Sequence, residues 1–577
     1  MTPSTTPGHQ RAKHDARSSN DAHGLPDRVP VLIIGAGPIG LALGVELGMH
    51  GVASLLVEQD TEVPSVPVKA MLLNPRALEQ FRRWGIATTL RQAATTPPAW
   101  QKQVVLATSL TGREYGAFRQ GLSFRGADDS DRVAESAQLV MQPTTTKVLR
   151  DRAVELGATV ALGWRLVSLD QDENGCIAEV EQVTTGTRQV IGSDYLVGCD
   201  GAQSTVRVSA GISRSGRGGV AAHLLLHWES PEVFTHSRIT PGAFNALYHP
   251  DGNALAVPID EKSWCAHVAG YPVDLDLDTV DVDAIVQRIV GPDIPFTLTY
   301  KGVYKIHERI ADRYRVGRLF LAGDAAHLCA PWGGHNMNAG MADALNLGWK
   351  LAATLMGWGG DALLDSYEAE RRPIAVTNAV EASSNVDRWI ETYETVLSTI
   401  DAEVLEADGH EAESRRRAWG DALWRGVRAQ FDSEGITLDQ RYHSEVIAED
   451  PAPVTPWSAT VYSPSSHPGH RAPHAWLSAQ VSLYDAMGIG FSILYHPGDA
   501  TAAMGFVAQA NRIGIPLTPI ELTDPIAAIR YDHPLTVVRP DQHVAWRGSA
   551  DSDPTAVLLK ITGCEDQVHE GATAALS

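Results

Sequence analysis

"VPVLIIGAGPIGLALGVELGMHGVASLLVEQD" (Val29–Asp60) decides the fold. Val31 to Ile34 is a short apolar run of the kind found in parallel strands buried on both faces. Gly35, Gly37 and Gly40 follow as G-x-G-x-x-G, with Pro38 where a helix can begin. In that spacing the first glycine permits a tight turn. The second lets backbone approach a pyrophosphate, and the third lets the helix pack close to the sheet. Unpaired N–H groups at the helix start then bind the anion. A second strand, Ser54 to Val57, ends at Glu58, where an acid bonds the ribose of an ADP moiety. An acid there disfavours a 2′-phosphate, so the loop reads as a site for FAD or NAD rather than NADP.

Two later segments repeat the strand–glycine–acid–helix layout. "YLVGCDGAQSTVR" (Tyr195–Arg207) ends an apolar strand at Asp200-Gly201. "LFLAGDAAHLCAPWGGHNMNAG" (Leu319–Gly340) ends one at Gly323-Asp324, then runs through Pro331 and Gly334 into a helix expected to begin near Asn338. Singly, each is compatible with a strand-to-helix turn capped by an aspartate. Along the third helix Met341, Leu345, Gly348 and Ala352 share one face, with Ala344, Leu351 and Leu355 beside them, which marks a core stripe. Asp343, near its start, is read as an acid that favours the helix dipole.

Size and composition bound the rest. A chain of 577 residues is too long for one core and predicts two or three domains. The net charge of −22 argues against nonspecific binding to nucleic acid or an anionic membrane, both of which need basic surface. The five cysteines, with no C-x-x-C, signal neither a zinc site nor a dithiol and fit a reducing compartment. Residues 1–28 lack the apolar stretch of a secretory signal and read as a disordered tail. No apolar run approaches the ~18 residues of a membrane span, so a cytoplasmic protein is expected.

G-x-G-x-x-G, then C-D-G-A-x-S-x-V-R, then G-D-A-A-H with a proline four residues on, resemble in order the class A flavoprotein monooxygenases. These are aromatic hydroxylases of the p-hydroxybenzoate and phenol hydroxylase type. The resemblance covers about residues 29–385. It implies an α/β fold in which a Rossmann-like FAD-binding domain (29–397) is interleaved with an antiparallel-sheet substrate domain (about 90–195 and 215–310). A helical linker (398–455) and a thioredoxin-like C-terminal α/β domain (456–577) follow. The implied FAD-binding set is Gly35, Gly37, Pro38, Gly40, Glu58, Lys69, Arg76, Gln142, Asp200, Gly201, Gly323, Asp324, Pro331, Gly334, Met337 and Asn338. Asp324 matches the family's ribityl-binding aspartate, and Gly333 to Asn338 match the loop facing flavin N1 and O2. Reduced flavin is anionic at N1, and a helix N-terminus supplies partial positive charge and free donors there.

The sequence departs from the family in places. Gly334-His335-Asn336 stands where relatives carry Gly-Gln-Gly or Gly-Phe-Gly. His335 either faces substrate and titrates near pH 7 or points to solvent, the second being favoured. Lys69 replaces an arginine, keeping charge but not planar geometry. Ala70, Met71 and Leu72 supply no base where some phenol hydroxylases carry one. His267 lies near a substrate-facing tyrosine of related enzymes, although a packed core histidine is the favoured reading. Pro331, Gly334, His335, Asn336 and His267 form the expected catalytic set.

The implied reaction uses NADH or NADPH as a visiting reductant, O₂, and a flavin C4a-hydroperoxide that hydroxylates a phenolic or polyketide-type aromatic. Baeyer–Villiger insertion or epoxidation stands as an alternative, and a catalytically silent flavin-bound protein is the reading from another class. No metal is implied, and the C-terminal domain, without a C-x-x-C, is expected to serve packing or homodimerisation rather than redox chemistry.

Overall fold

The computed structural model describes residues 24–62, 70–101, 103–119, 131–250 and 252–565. The expected tail therefore lies outside the described residues up to residue 23, and Arg28 already opens the first strand (Arg28–Ile34). Lys69 also lies outside them.

The first sheet runs in the order Arg315–Val316, Leu319–Leu321, Arg188–Gly198, Arg28–Ile34, Ser54–Glu58, Thr159–Leu162. Its middle strands pair in parallel, Val31 with both Tyr195 and Ser54, and Leu196 with Leu319. Val31, Leu32 and Ile33 are fully buried, as strands covered by helices on both faces require. The helix Pro38–Met49 covers one face and packs against His335–Leu355.

The second sheet has eight strands, in the order His327–Leu328, Thr297–Ala311, Arg214–Glu229, Ser263–Tyr271, Gly252–Pro258, Phe244–His249, Gln103–Ala107, Glu114–Arg119. All neighbours are antiparallel except Phe244–His249 with Gln103–Ala107. One face sits on an apolar core: Leu224, Leu226 and Trp228 from one strand meet Trp264 and Ala266 from the next, beneath the helix Val282–Val290. The alternate residues His223, Leu225 and His227 point the other way. The substrate-domain boundaries expected from sequence need correction. Within 90–195 only 103–119 joins this sheet. Thr159–Leu162, the hairpin Trp164–Asp172/Gly175–Gln182 and Arg188–Gly198 belong to the first sheet. Alternation alone cannot say which sheet a strand joins.

The segment expected as a linker is part of the substrate layer. Its helix His410–Val427 lies against Glu114–Arg119, with Trp424 stacked on Phe118 at 4.5 Å. A four-stranded C-terminal sheet follows, in the order Leu517–Glu521, Phe491–Tyr495, Leu535–Val538, Val544–Gly548. The first pair is parallel and the others antiparallel, the thioredoxin arrangement.

A buried ionic cluster docks this C-terminal sheet on the rest. Arg539 donates to both oxygens of Glu370 (2.6 and 2.7 Å) and to Asp541 (2.6 Å). Lys350 donates to Glu370 (2.6 Å), and Asn346 bridges Glu370 and Asp541 (2.8 and 3.0 Å). Burial pushes the Glu370 carboxyl up, but Arg539 and Lys350 outweigh it and hold the group at about 2. Burial pulls Lys350 down to about 8 against the pull of Glu370. Breaking a buried ion pair on one side costs about 3–5 kcal/mol. Arg539→Leu should lower stability to urea by that amount, because the buried Asp541 and Glu370 carboxylates both lose their guanidinium.

Candidate active site

Three parallel strands end side by side. Ile34 pairs with Gly198, and Gly198 with Leu321, so the three motifs open at one edge of the first sheet. Ligands of open α/β sheets bind at such carboxyl ends. Gly35 has φ of +102°, and a Cβ there would lie 2.4 Å from the Cys199 carbonyl oxygen. A Cβ at Gly40 would lie 2.0 Å from the Gly35 carbonyl oxygen, so helix and turn are in contact. At Gly37 it would meet nothing within 4 Å, and no side chain caps the helix that follows. The loop is therefore open to an anion. Glu58 braces it, accepting from the Ala36 N–H (2.9 Å) and the Asp60 N–H (3.1 Å). Asp200 accepts from the Val206 N–H through Oδ2 (3.0 Å), but the cap of that helix is Ser204, which accepts from the Arg207 N–H (3.0 Å), and not the aspartate read from sequence; the buried Asp200 Oδ1 has no protein partner.

Before these strand ends lies a cavity of about 440 Å³. Gly37, Pro38, Gln142, Gly201 and Asp324 line it on the sheet side, and Pro331, Gly334, His335, Asn336 and Met337 along the loop. Gly35, Gly40, Glu58, Asp200 and Gly323 are not among the lining residues. The loop's helix begins at His335, not near Asn338, because Gly334 adopts the left-handed conformation (φ 66°) that turns the chain into it. No side chain caps this helix, so its first N–H groups are open.

Several expected contacts are corrected here. Asn338 is buried behind the wall. It accepts from the Asn74 N–H (2.9 Å) and donates to the Leu72 and Gly334 carbonyls (3.1 and 2.8 Å), so it holds the loop rather than facing the cavity. Asn336 pins the loop to the Cys329 backbone (2.8 and 3.2 Å). His335 is only 6% exposed and folds over Gly333, not into solvent. Burial pushes it down to about 4, so it does not titrate near pH 7. Arg76 turns away from the cavity, donating to the Asp541 carbonyl (2.6 Å) and the Gln542 side chain. The expected FAD contact gives way to a brace on the C-terminal sheet. His267, expected as a core histidine, lines the cavity instead.

Residues 28–383 match the FAD binding domain family, and residues 465–563 match the family described as aromatic-ring hydroxylase, C-terminal. Tetracenomycin B2 monooxygenase-dioxygenase of Streptomyces olivaceus is 31% identical over 568 residues, which covers 92% of this chain and 97% of that one. The chain belongs to the class A flavoprotein monooxygenases. Among solved structures, RebC soaked with K252c superposes with a TM-score of 0.83 at 30% identity, covering 94% of this chain and all of that one. Aklavinone-11 hydroxylase, in a ternary complex with FAD and aklavinone, superposes at 0.79 with 26% identity, covering 93% and 100%.

In this flavoprotein monooxygenase the Gly-Asp turn rests on a buried clamp that sequence reading missed. Asp343, taken for an acid favouring the helix dipole, is fully buried. It accepts from the Gly323 N–H (3.1 Å) and Arg371 Nε (2.7 Å) and pairs with His327 Nε2 (2.9 Å). Burial pushes its carboxyl up, but Arg371 and His327 outweigh that and hold it below its ordinary range. Burial would lower His327; the charge of Asp343 reverses the sign and raises it to about 10. The signals were present as the His of G-D-A-A-H and an Arg of E-R-R-P, but nothing local links them. Other wall residues had no motif: His223, Tyr304 and Trp389, with Phe431 and Thr437 from the supposed linker; Trp332 lies within the third motif but was not singled out.

No helix among the described residues is long and apolar enough to cross a membrane. Because the folded pKa of His327 lies above its unfolded value, its stabilisation is complete below about pH 6.5 and is lost as pH rises through about 10. His327→Leu should cost about 1.5–3 kcal/mol at neutral pH. The difference from the parent, measured by urea unfolding across pH 6–10.5, should shrink at the alkaline end.

Proposed function

We propose that this chain uses FAD, a nicotinamide reductant and O₂ to hydroxylate a polycyclic phenolic substrate of the aromatic polyketide type. The observation that carries this reading is one cavity lined both by an uncapped helix start and by aromatic rings. Trp332 and Trp389 lie 6.1 Å apart, and Trp389 stacks on Tyr393 at 5.3 Å. Such faces suit a flat fused-ring system.

The residues fit the cofactor. The open helix start after Gly37 accepts a pyrophosphate, Glu58 remains able to take ribose hydroxyls, and Asp324 on the wall suits a polyol chain. The unpartnered Asp200 Oδ1 offers one further acceptor. The first N–H groups after Gly334 provide donors for an electron-rich ring edge. Bound and reduced, FAD supplies O₂ activation and oxygen transfer to the ring. The protein's part is to hold the ring against the loop, exclude water and orient the acceptor. His335, neutral and packed over Gly333, stiffens the loop rather than moving a proton.

Incubation of the FAD-loaded enzyme with NADH or NADPH, ¹⁸O₂ and a panel of hydroxyanthraquinones and anthrones tests the reading by mass spectrometry. One heavy oxygen in the product is expected. Coenzyme oxidation without label in any product would show an oxidase and overturn it. Asp324→Ala should weaken FAD binding by about 1.5–3 kcal/mol, roughly 10- to 150-fold, in a titration followed by flavin fluorescence.

A further inference from the structure

The face of the second sheet that lines the cavity carries polar groups that the reading above does not use. His223 pairs with Tyr304 across the sheet, and Leu225 with His267. Paired residues share a face, so His223, His267 and Tyr304 stand together, and all three line the cavity. The His223 ring lies 6.1 Å from that of His267 and 4.8 Å, edge-on, from that of Trp332. His223 is 5% exposed, and neither of its ring nitrogens has a protein partner. A buried polar group left unsatisfied costs about 1–3 kcal/mol, and Trp332 and His267 offer the imidazole ring contact but no hydrogen bond. A bound ligand is the partner such a group lacks.

The chemistry of that ligand follows from charge. Burial, then the neighbouring His267, push His223 down to about 3. Burial, then His227, push His267 down to about 4. Both rings are neutral at physiological pH, each with one donor and one acceptor. No described lysine or arginine lines the cavity. The wall is therefore built for hydroxyl and carbonyl groups, not for a carboxylate, which calls for a cation.

We propose that His223, with His267 beside it, is the edge that orients and selects the substrate, and that this substrate is an uncharged fused-ring compound with a phenolic hydroxyl next to a carbonyl. The phenolic O–H donates to one imidazole, and the other imidazole's N–H donates to the carbonyl. His223 is a specificity and positioning residue. The inference rests on the cavity being the site of an aromatic acceptor.

Binding to the FAD-loaded enzyme, read from flavin fluorescence without reductant, tests it with three probes: 1,8-dihydroxyanthraquinone, its dimethyl ether and anthraquinone-2-carboxylate. The parent should prefer the dihydroxy compound over the ether by about tenfold. In His223→Leu that preference should collapse to within about twofold, while His223→Gln, which keeps a donor and an acceptor, should retain much of it. An unchanged flavin content shows that both variants fold. The proposal is overturned if His223→Leu keeps the preference, if the carboxylate binds tightest, or if the dihydroxy compound does not bind. Because no turnover is involved, loss of oxygen transfer in the ¹⁸O₂ experiment would leave this result standing on its own.

Discussion

The carboxylate of Asp343 is the constraint on which the site depends. Taking it out of water costs several kcal/mol. The structure offsets that with a guanidinium, an imidazole and a backbone N–H, each from a different element. Gly323 belongs to the turn that carries Asp324, His327 to the edge strand of the second sheet, and Arg371 to the long helix Asp361–Leu397. Arg371 passes the constraint on, donating to Tyr442, Gln440 and the Ala339 carbonyl (each 3.0 Å). One buried charge thus sets the turn, the helix and the segment leading to the C-terminal sheet relative to one another.

The helix His335–Leu355 shows why such a constraint is needed. Its start must stay uncapped to serve the cavity, so local capping cannot anchor it. Anchorage comes from its flanks instead. Asn338 ties it to Leu72 and Asn74, Asn336 to Cys329, Asp343 to the clamp, and Asn346 and Lys350 to Glu370 and Asp541. The C-terminal sheet, without a C-x-x-C, serves this anchorage through Arg539 and through the backbone of Asp541, which receives Arg76.

Much of the fold was legible because its signals are local. Gly35, Gly37 and Gly40 announce their turn within six residues, and Glu58 follows at the end of the next strand. Pro331 and Gly334 announce the loop. The errors share a cause. His267 sits in an apolar strand, which reads as core, and His335 between glycine and asparagine, which reads as an exposed loop; neighbours along the chain do not show which surface each ring meets. Arg76 lay in a segment resembling a cofactor-binding one, but its environment is supplied by residues more than 460 positions away. The segment after residue 398 looked like a linker because charged helical residues conceal a face of Leu423 and Trp424 that packs on the substrate sheet.

By itself, the sequence determined the dinucleotide turn, the three acid-ended strands and their order, because φ-restricted turns and close helix–strand contacts need particular residues at fixed spacing. Only the tertiary structure decided that the strands end side by side, that the charges of the long cavity helix are buried, and that His223, His267 and Tyr304 share one wall. Those facts depend on register and on which surface each face meets. Such pairings join residues far apart in the chain, and no periodicity within a segment records them.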